Sequence, residues 1–121
     1  MAAKERGTTS GTLRSAVETE VEKLLPHGKA KEQTVAKNLA ISVRSMSRRL
    51  AEEGTGYDEI VDQMRRSLAL QYLKEPDMSL SQIAWLLGYG GPTSFNRAFR
   101  RWTGRSPSAA RNQKLRPGPL A

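Results

Sequence analysis

The sequence contains no cysteine and a single histidine, His27. Without thiols there is no disulfide, no thiolate-held metal and no cysteine nucleophile. His27 stands alone at a Pro26-His27-Gly28 helix stop, where a solvated turn residue is the expected reading. No cluster of metal ligands, no glycine-rich loop after a strand and no nucleophile beside a base occurs anywhere in the chain. The chain therefore reads as a non-enzyme that needs no cofactor. Aromatics are scarce, at 6%, which suits small helix–helix contacts. No apolar run approaches the roughly 18 residues a membrane-spanning helix needs, and the polar N-terminus lacks the apolar stretch of a secretory signal. The cytoplasm is the compartment these absences favour.

Acid is the other shortage. The 121 residues carry 20 Lys and Arg against 12 Asp and Glu, a formal charge of +8. Residues 92–121 hold Arg97, Arg100, Arg101, Arg105, Arg111, Lys114 and Arg116 and no acid at all. Such a surface favours a polyanion, because neutralising phosphates releases condensed counterions. Anionic membranes share that property, so charge alone does not choose the partner.

Helical periodicity is what the chain has in abundance. Leu13, Val17, Val21, Leu24 and Leu25 predict a first helix from about Thr12 to Leu25, stopped by Pro26 and Gly28. Further helices are expected over about Glu32–Leu39, Val43–Glu53, Tyr57–Lys74, Leu80–Leu87, Pro92–Trp102 and Pro107–Gln113. Ser42 is a good N-cap, Ser79 with Gln82 forms a capping-box signature, and Pro92 suits a first helical position. The helix at Tyr57 carries the stripe Ile60, Met64, Leu68, Tyr72, with Val61, Ala69 and Leu73 beside it. No segment alternates with period two. The expected fold is all-α, with seven helices forming two subdomains at 12–56 and 77–113. A joining helix at 57–76, a disordered N-terminal linker at 1–11 and a basic tail at 114–121 complete the expected organisation.

A pattern repeats within this frame, about 48 residues apart. Val35-Ala36, Leu39-Ala40-Ile41 and Met46-Ser47-Arg48-Arg49-Leu50 match Ile83-Ala84, Leu87-Gly88-Tyr89 and Phe95-Asn96-Arg97-Ala98-Phe99. Each copy is a short apolar helix, a tight turn and a second helix with a polar, basic outer face, as in a helix-turn-helix. On a wheel, Phe95, Ala98, Phe99 and Trp102 share the inward side, and Thr93, Asn96, Arg97 and Arg100 the outward one. In the first copy Val43, Met46 and Leu50 turn inward, leaving Arg44, Ser45, Ser47 and Arg48 outward. An arginine fork spans guanine O6 and N7, and Asn does the same for adenine N6 and N7. One such copy is a weak signal, since any short amphipathic helix pair mimics it. Two in register point to a bipartite reader of duplex DNA. The rival is an RNA-binding or protein-interaction module. RNA readers usually expose aromatics for stacking, whereas these fall on inward faces, and an interaction module has little reason to place arginines on both second helices.

The stretch Ser81-Gln82-Ile83-Ala84-Trp85-Leu86-Leu87-Gly88-Tyr89 through Pro92-Thr93-Ser94-Phe95-Asn96-Arg97-Ala98-Phe99-Arg100-Arg101-Trp102-Thr103-Gly104-Arg105-Ser106-Pro107 resembles the signature of the AraC/XylS transcription regulators. That signature runs Ile-Ala, Gly-aromatic, Ser-x-Phe-x-Arg-x-Phe-[Lys/Arg] and Gly-x-[Ser/Thr]-Pro. The likeness extends from about Leu13 to Arg111. It implies two helix-turn-helix subdomains that bind adjacent major-groove segments on one face of double-stranded DNA, with contacts to RNA polymerase at promoters. Base-reading positions of the family map to Arg44, Ser45, Ser47 and Arg48 and to Thr93, Asn96 and Arg97. Pro92 departs from the polar residue often found at that place. Phosphate contacts are expected at Ser42, Arg66, Ser94, Arg100 and Arg101, with a helix-surface ion pair to Asp62 as the alternative for Arg66. The resemblance also implies that the effector or dimerisation domain such regulators carry lies outside this chain. The chain then is either a small stand-alone activator or, the reading its linker-like Gly/Thr/Ser start favours, the C-terminal piece of a longer protein.

Overall fold

The computed structural model describes residues 12–115. The expected N-terminal linker, and the basic tail from Arg116 onward, lie outside them. Seven α-helices follow in order: α1 Leu13–Leu24, α2 Glu32–Asn38, α3 Val43–Glu52, α4 Tyr57–Tyr72, α5 Leu80–Leu86, α6 Pro92–Thr103 and α7 Pro107–Leu115. A 3-10 turn, Leu25–His27, follows α1 and ends on left-handed Gly28. No strand occurs among the described residues. Helix ends fall within two residues of the sequence expectation. The chain divides into two compact units, the first ending at Met64 and the second beginning at Arg65, inside α4.

In the first unit α1, α2 and α3 all contact one another. The stripe Leu13, Val17, Val21 and Leu25 is buried, as are Val35, Ala36, Met46 and Leu50. Each fully buried aliphatic side chain contributes about 1.5–3 kcal/mol relative to exposure. Val43, expected inward, is only half-buried. The start of α1 is held twice over. Thr12 Oγ accepts the Ser15 N–H, and the Glu53 carboxylate, just past α3, accepts the N–H groups of Leu13 and Arg14 at 3.0 Å each. A carboxylate on unpaired N-terminal donors favours the helix through hydrogen bonding and the dipole alike. Tyr57, at the start of α4, donates its hydroxyl to the Ala30 carbonyl at 2.7 Å.

The second unit is built around Ala69, Leu73, Ile83, Ala84, Leu87, Phe95, Phe99 and Ala110. Ser79 and Gln82 close the expected capping box on α5, and Ser106 Oγ accepts the Ala109 N–H to start α7. On α4 the expected stripe is displaced. Ile60 is buried as expected, but Met64, Leu68 and Tyr72 are half-buried, while Val61, Ala69 and Leu73 are buried. The displacement reveals a longer repeat. Leu13, Val17, Val21 and Leu25 stand, again about 48 residues apart, against Val61, Arg65, Ala69 and Leu73. Each helix-turn-helix therefore has an equivalent supporting helix before it.

The two turns share their backbone bonding. The Ile41 N–H donates to the Ala36 carbonyl at 3.0 Å and the Tyr89 N–H to the Ala84 carbonyl at 2.9 Å. Both need a left-handed residue one position earlier: Gly88 at φ 85° and Ala40 at φ 60°. A Cβ in that region costs about 1–2 kcal/mol, part of which glycine returns through its more disordered unfolded chain. Ala40→Gly is expected to stabilise the first unit by about 0.5–1 kcal/mol, read as a raised thermal midpoint. A lowered midpoint would mean that Ala40 is not strained.

Candidate nucleic-acid interface

The exposed face of α3 follows from how the helix is anchored. Met46 and Leu50 are fully buried, and Ser42 Oγ accepts the Ser45 N–H at 3.0 Å to cap the first turn. With that side fixed, Arg44, Ser47 and Arg48 are exposed and Ser45 is half-buried. Arg44 and Arg48 lie one turn apart, so their guanidinium groups share a face. Arg48 Nε stands 4.0 Å from Glu52 Oε2, with both side chains about two-thirds exposed. An ion pair this open is too weak to hold the arginine away from a stronger partner. The Ser42 hydroxyl keeps its own hydrogen while accepting from Ser45, so it can still donate to a phosphate oxygen.

The second face is built the same way with larger side chains. Phe95, Ala98 and Phe99 of α6 are buried and Trp102 half-buried. Phe99 meets Phe95 edge-on at 5.9 Å and Trp102 edge-on at 6.2 Å. Thr93, Ser94, Asn96, Arg97, Arg100 and Arg101 are all exposed. Thr93 and Arg97 are one turn apart, as are Asn96 and Arg100. Pro92 occupies the first helical position, and the N-cap Gly91 makes no side-chain bond. Arg66, expected on phosphate, sits exposed on α4 rather than on α3 or α6.

Three arginines stand where the sequence pattern assigned no role. Arg49 is exposed on α3, a position whose counterpart Ala98 is buried; that mismatch hid it. Arg111, counted in the basic run, reaches back to the end of α4. Its Nε donates to the Leu73 carbonyl at 3.2 Å and Nη2 to the Glu75 carbonyl at 3.0 Å. It thereby serves a helix C-terminus, where cations are favoured. Arg65 donates from Nε to the Leu87 carbonyl at 2.8 Å and covers the Tyr89 ring. Only the alignment of Arg65 with Val17 in the longer repeat sets it apart from a surface cation, and nothing in the sequence sets Arg111 apart, because the partners of both are backbone carbonyls brought close only by folding.

Two polar, arginine-bearing helix faces, each the second member of a helix-turn-helix, suit base edges in a major groove and flanking phosphates. Known proteins carry the same frame. A family model described as a helix-turn-helix domain matches residues 35–113. The HTH-type transcriptional regulator VirS of Mycobacterium tuberculosis is 38% identical over 99 residues, 82% of this chain and 29% of that protein. The ornithine utilization regulator of Pseudomonas aeruginosa is 45% identical over 76 residues, 63% of this chain and 22% of its own length. A crystal structure of the DNA-binding domain of AdpA, a global transcriptional factor, in complex with a target DNA superposes with a TM-score of 0.72 at 25% identity. It covers 88% of this chain and 98% of that one. This chain thus spans under a third of the curated relatives it matches.

Proposed function

Starting from the fact that the chain belongs to the AraC-type helix-turn-helix family of transcription regulators, we propose that it binds specific double-stranded DNA sequences and regulates transcription, without catalysis. The observation that carries this reading is the pair of exposed faces on α3 and α6, each fixed by a buried apolar side and each bearing arginine. Arg44, Ser45, Ser47 and Arg48, with Thr93, Asn96 and Arg97, are the proposed base readers. Ser42, Arg66, Ser94, Arg100 and Arg101 are the proposed phosphate contacts. We assign 12–56 and 77–113 as the two reading subdomains and the helix between them as the linker that joins them.

Contact with RNA polymerase, work in the cytoplasm, and control by an effector or dimerisation domain outside this chain belong to the same proposal. For a protein partner, the second unit offers an acid-rimmed apolar groove of about 680 Å³ lined by Glu75, Asp77, Met78, Trp85 and Leu86. Trp85 there is 54% exposed.

The test is a salt series on duplex DNA with single-stranded RNA as competitor. Log affinity for the duplex should fall against log salt with a slope magnitude of about 0.9 per neutralised phosphate. The RNA should compete poorly. A slope near zero, or preferential binding of the RNA, would remove the DNA reading.

A further inference from the structure

The turn that aims α6 is bonded through its own backbone at Gly88 and Tyr89, whose N–H groups donate to the Trp85 and Ala84 carbonyls, and is loosest at Gly90 and Gly91. Between Leu87 and Pro92 it carries Gly88, Gly90 and Gly91, and one residue more than its counterpart before α3. Cβ atoms built at Gly90 and Gly91 would meet nothing within 4 Å, so close packing does not hold these two residues. Glycine-rich chain of that kind has the most conformational freedom to lose. A reading helix placed by it needs an anchor from elsewhere.

Arg65 supplies one. It occupies the place on α4 that the fully buried Val17 holds on α1, an apolar stripe position where a cation is unexpected. Its guanidinium makes two unlike contacts with the turn. Nε donates at 2.8 Å to the carbonyl of Leu87, the C-cap of α5, satisfying an acceptor that a helix end leaves unpaired. The planar group also lies 4.6 Å from the Tyr89 ring centroid, within cation–π range. Tyr89 in turn stacks on Phe95 of α6, 6.2 Å between centroids and 27° between planes. Ile41 stands at the Tyr89 position of the first motif and offers no ring to cover.

We infer that Arg65 is a positioning residue for DNA reading, latching the α5–α6 turn so that Thr93, Asn96 and Arg97 meet base edges in one pose. A lysine does not replace it, because an ammonium cannot donate to the carbonyl and lie flat on the ring at once. The inference rests on the DNA-reading assignment above.

The experiment measures thermal melts and sequence-selection profiles on random duplex DNA for the parent chain and for Arg65→Met, Arg65→Lys and Tyr89→Leu. Arg97→Ala marks which base pairs belong to α6. Arg65→Met should weaken binding to the preferred site roughly tenfold, about the worth of one good base contact. Discrimination should flatten at the α6 base pairs and persist at those read by α3. Tyr89→Leu should do the same, and Arg65→Lys should fail to restore the profile. If Arg65→Met does not fold, Tyr89→Leu decides, since it keeps both the Leu87 bond and an apolar side chain. Profiles unchanged in shape, whether with lower melting or with uniformly weaker binding, overturn the latch and leave Arg65 a structural or phosphate-binding residue. A parent that selects no sequence removes the DNA reading and the latch together.

Discussion

Phe99→Ala is expected to cost the second unit about 3–5 kcal/mol, the range for truncating a buried aromatic. The side chain is fully buried, and its ring is the middle member of the edge-to-face series Phe95, Phe99, Trp102. Truncation removes the transfer free energy of the ring, leaves a cavity between α5 and α6, and breaks two aromatic contacts worth about 0.5–1.5 kcal/mol each. A unit this small has a total stability on the order of 5 kcal/mol at about 0.1 kcal/mol per residue. The variant should therefore lose its cooperative melt in the second unit. Arg100→Ala, one position along but exposed, should stay within about 0.5 kcal/mol of the parent. The comparison is a denaturant or thermal melt of the three chains followed by circular dichroism. A Phe99→Ala melt that overlays the parent would show that the inward face of α6 has been misassigned.

Much of this architecture was legible because its signals are local. Caps at Ser42 and Ser79, the stop at Gly28, and the 3.6-residue spacing of Phe95, Phe99 and Trp102 each act within one or two turns. The seven helices follow from them. Exposure of Arg44, Ser47, Arg48, Thr93, Asn96 and Arg97 was equally readable, since fixing the apolar side of a helix fixes its opposite. Long-range polar contacts were not readable. Glu53 on the start of α1, Arg111 on the end of α4 and Arg65 on the α5 C-cap join residues distant in sequence, and a charged residue carries no mark of which carbonyl or N–H it will meet. Arg65 also concealed the longer repeat, because a cation in the Val17 position breaks the apolar match between α1 and α4. Ala40 was hidden for another reason: nothing in an alanine announces a positive φ, and only its alignment with Gly88 hints at one.

Arg48 and Arg97 are expected to carry the largest share of sequence discrimination. They are the matched residues of the two repeats, each one turn from a second proposed reader, Arg44 or Thr93. Both are exposed, and among the described residues the acid paired with Arg48 is Glu52, in an open contact. A bidentate arginine–guanine contact is worth about 1–3 kcal/mol of discrimination, so replacing either with Ala should weaken binding to the preferred site by roughly 5- to 150-fold. Arg101→Ala, assigned to phosphate, should instead lower affinity for every sequence alike, because phosphate contacts position the protein without reading bases.

The most direct test is a sequence-selection profile from random duplex DNA for the parent, Arg48→Ala, Arg97→Ala and Arg101→Ala. The parent should enrich a two-part sequence. Arg48→Ala should relax one cluster of base pairs and Arg97→Ala another, with centres about 10 base pairs apart as successive major-groove windows require. Arg101→Ala should leave both clusters intact. Profiles for Arg48→Ala and Arg97→Ala that match the parent in shape, with only a general loss of affinity, would contradict the account and make this chain a basic binder that reads no sequence.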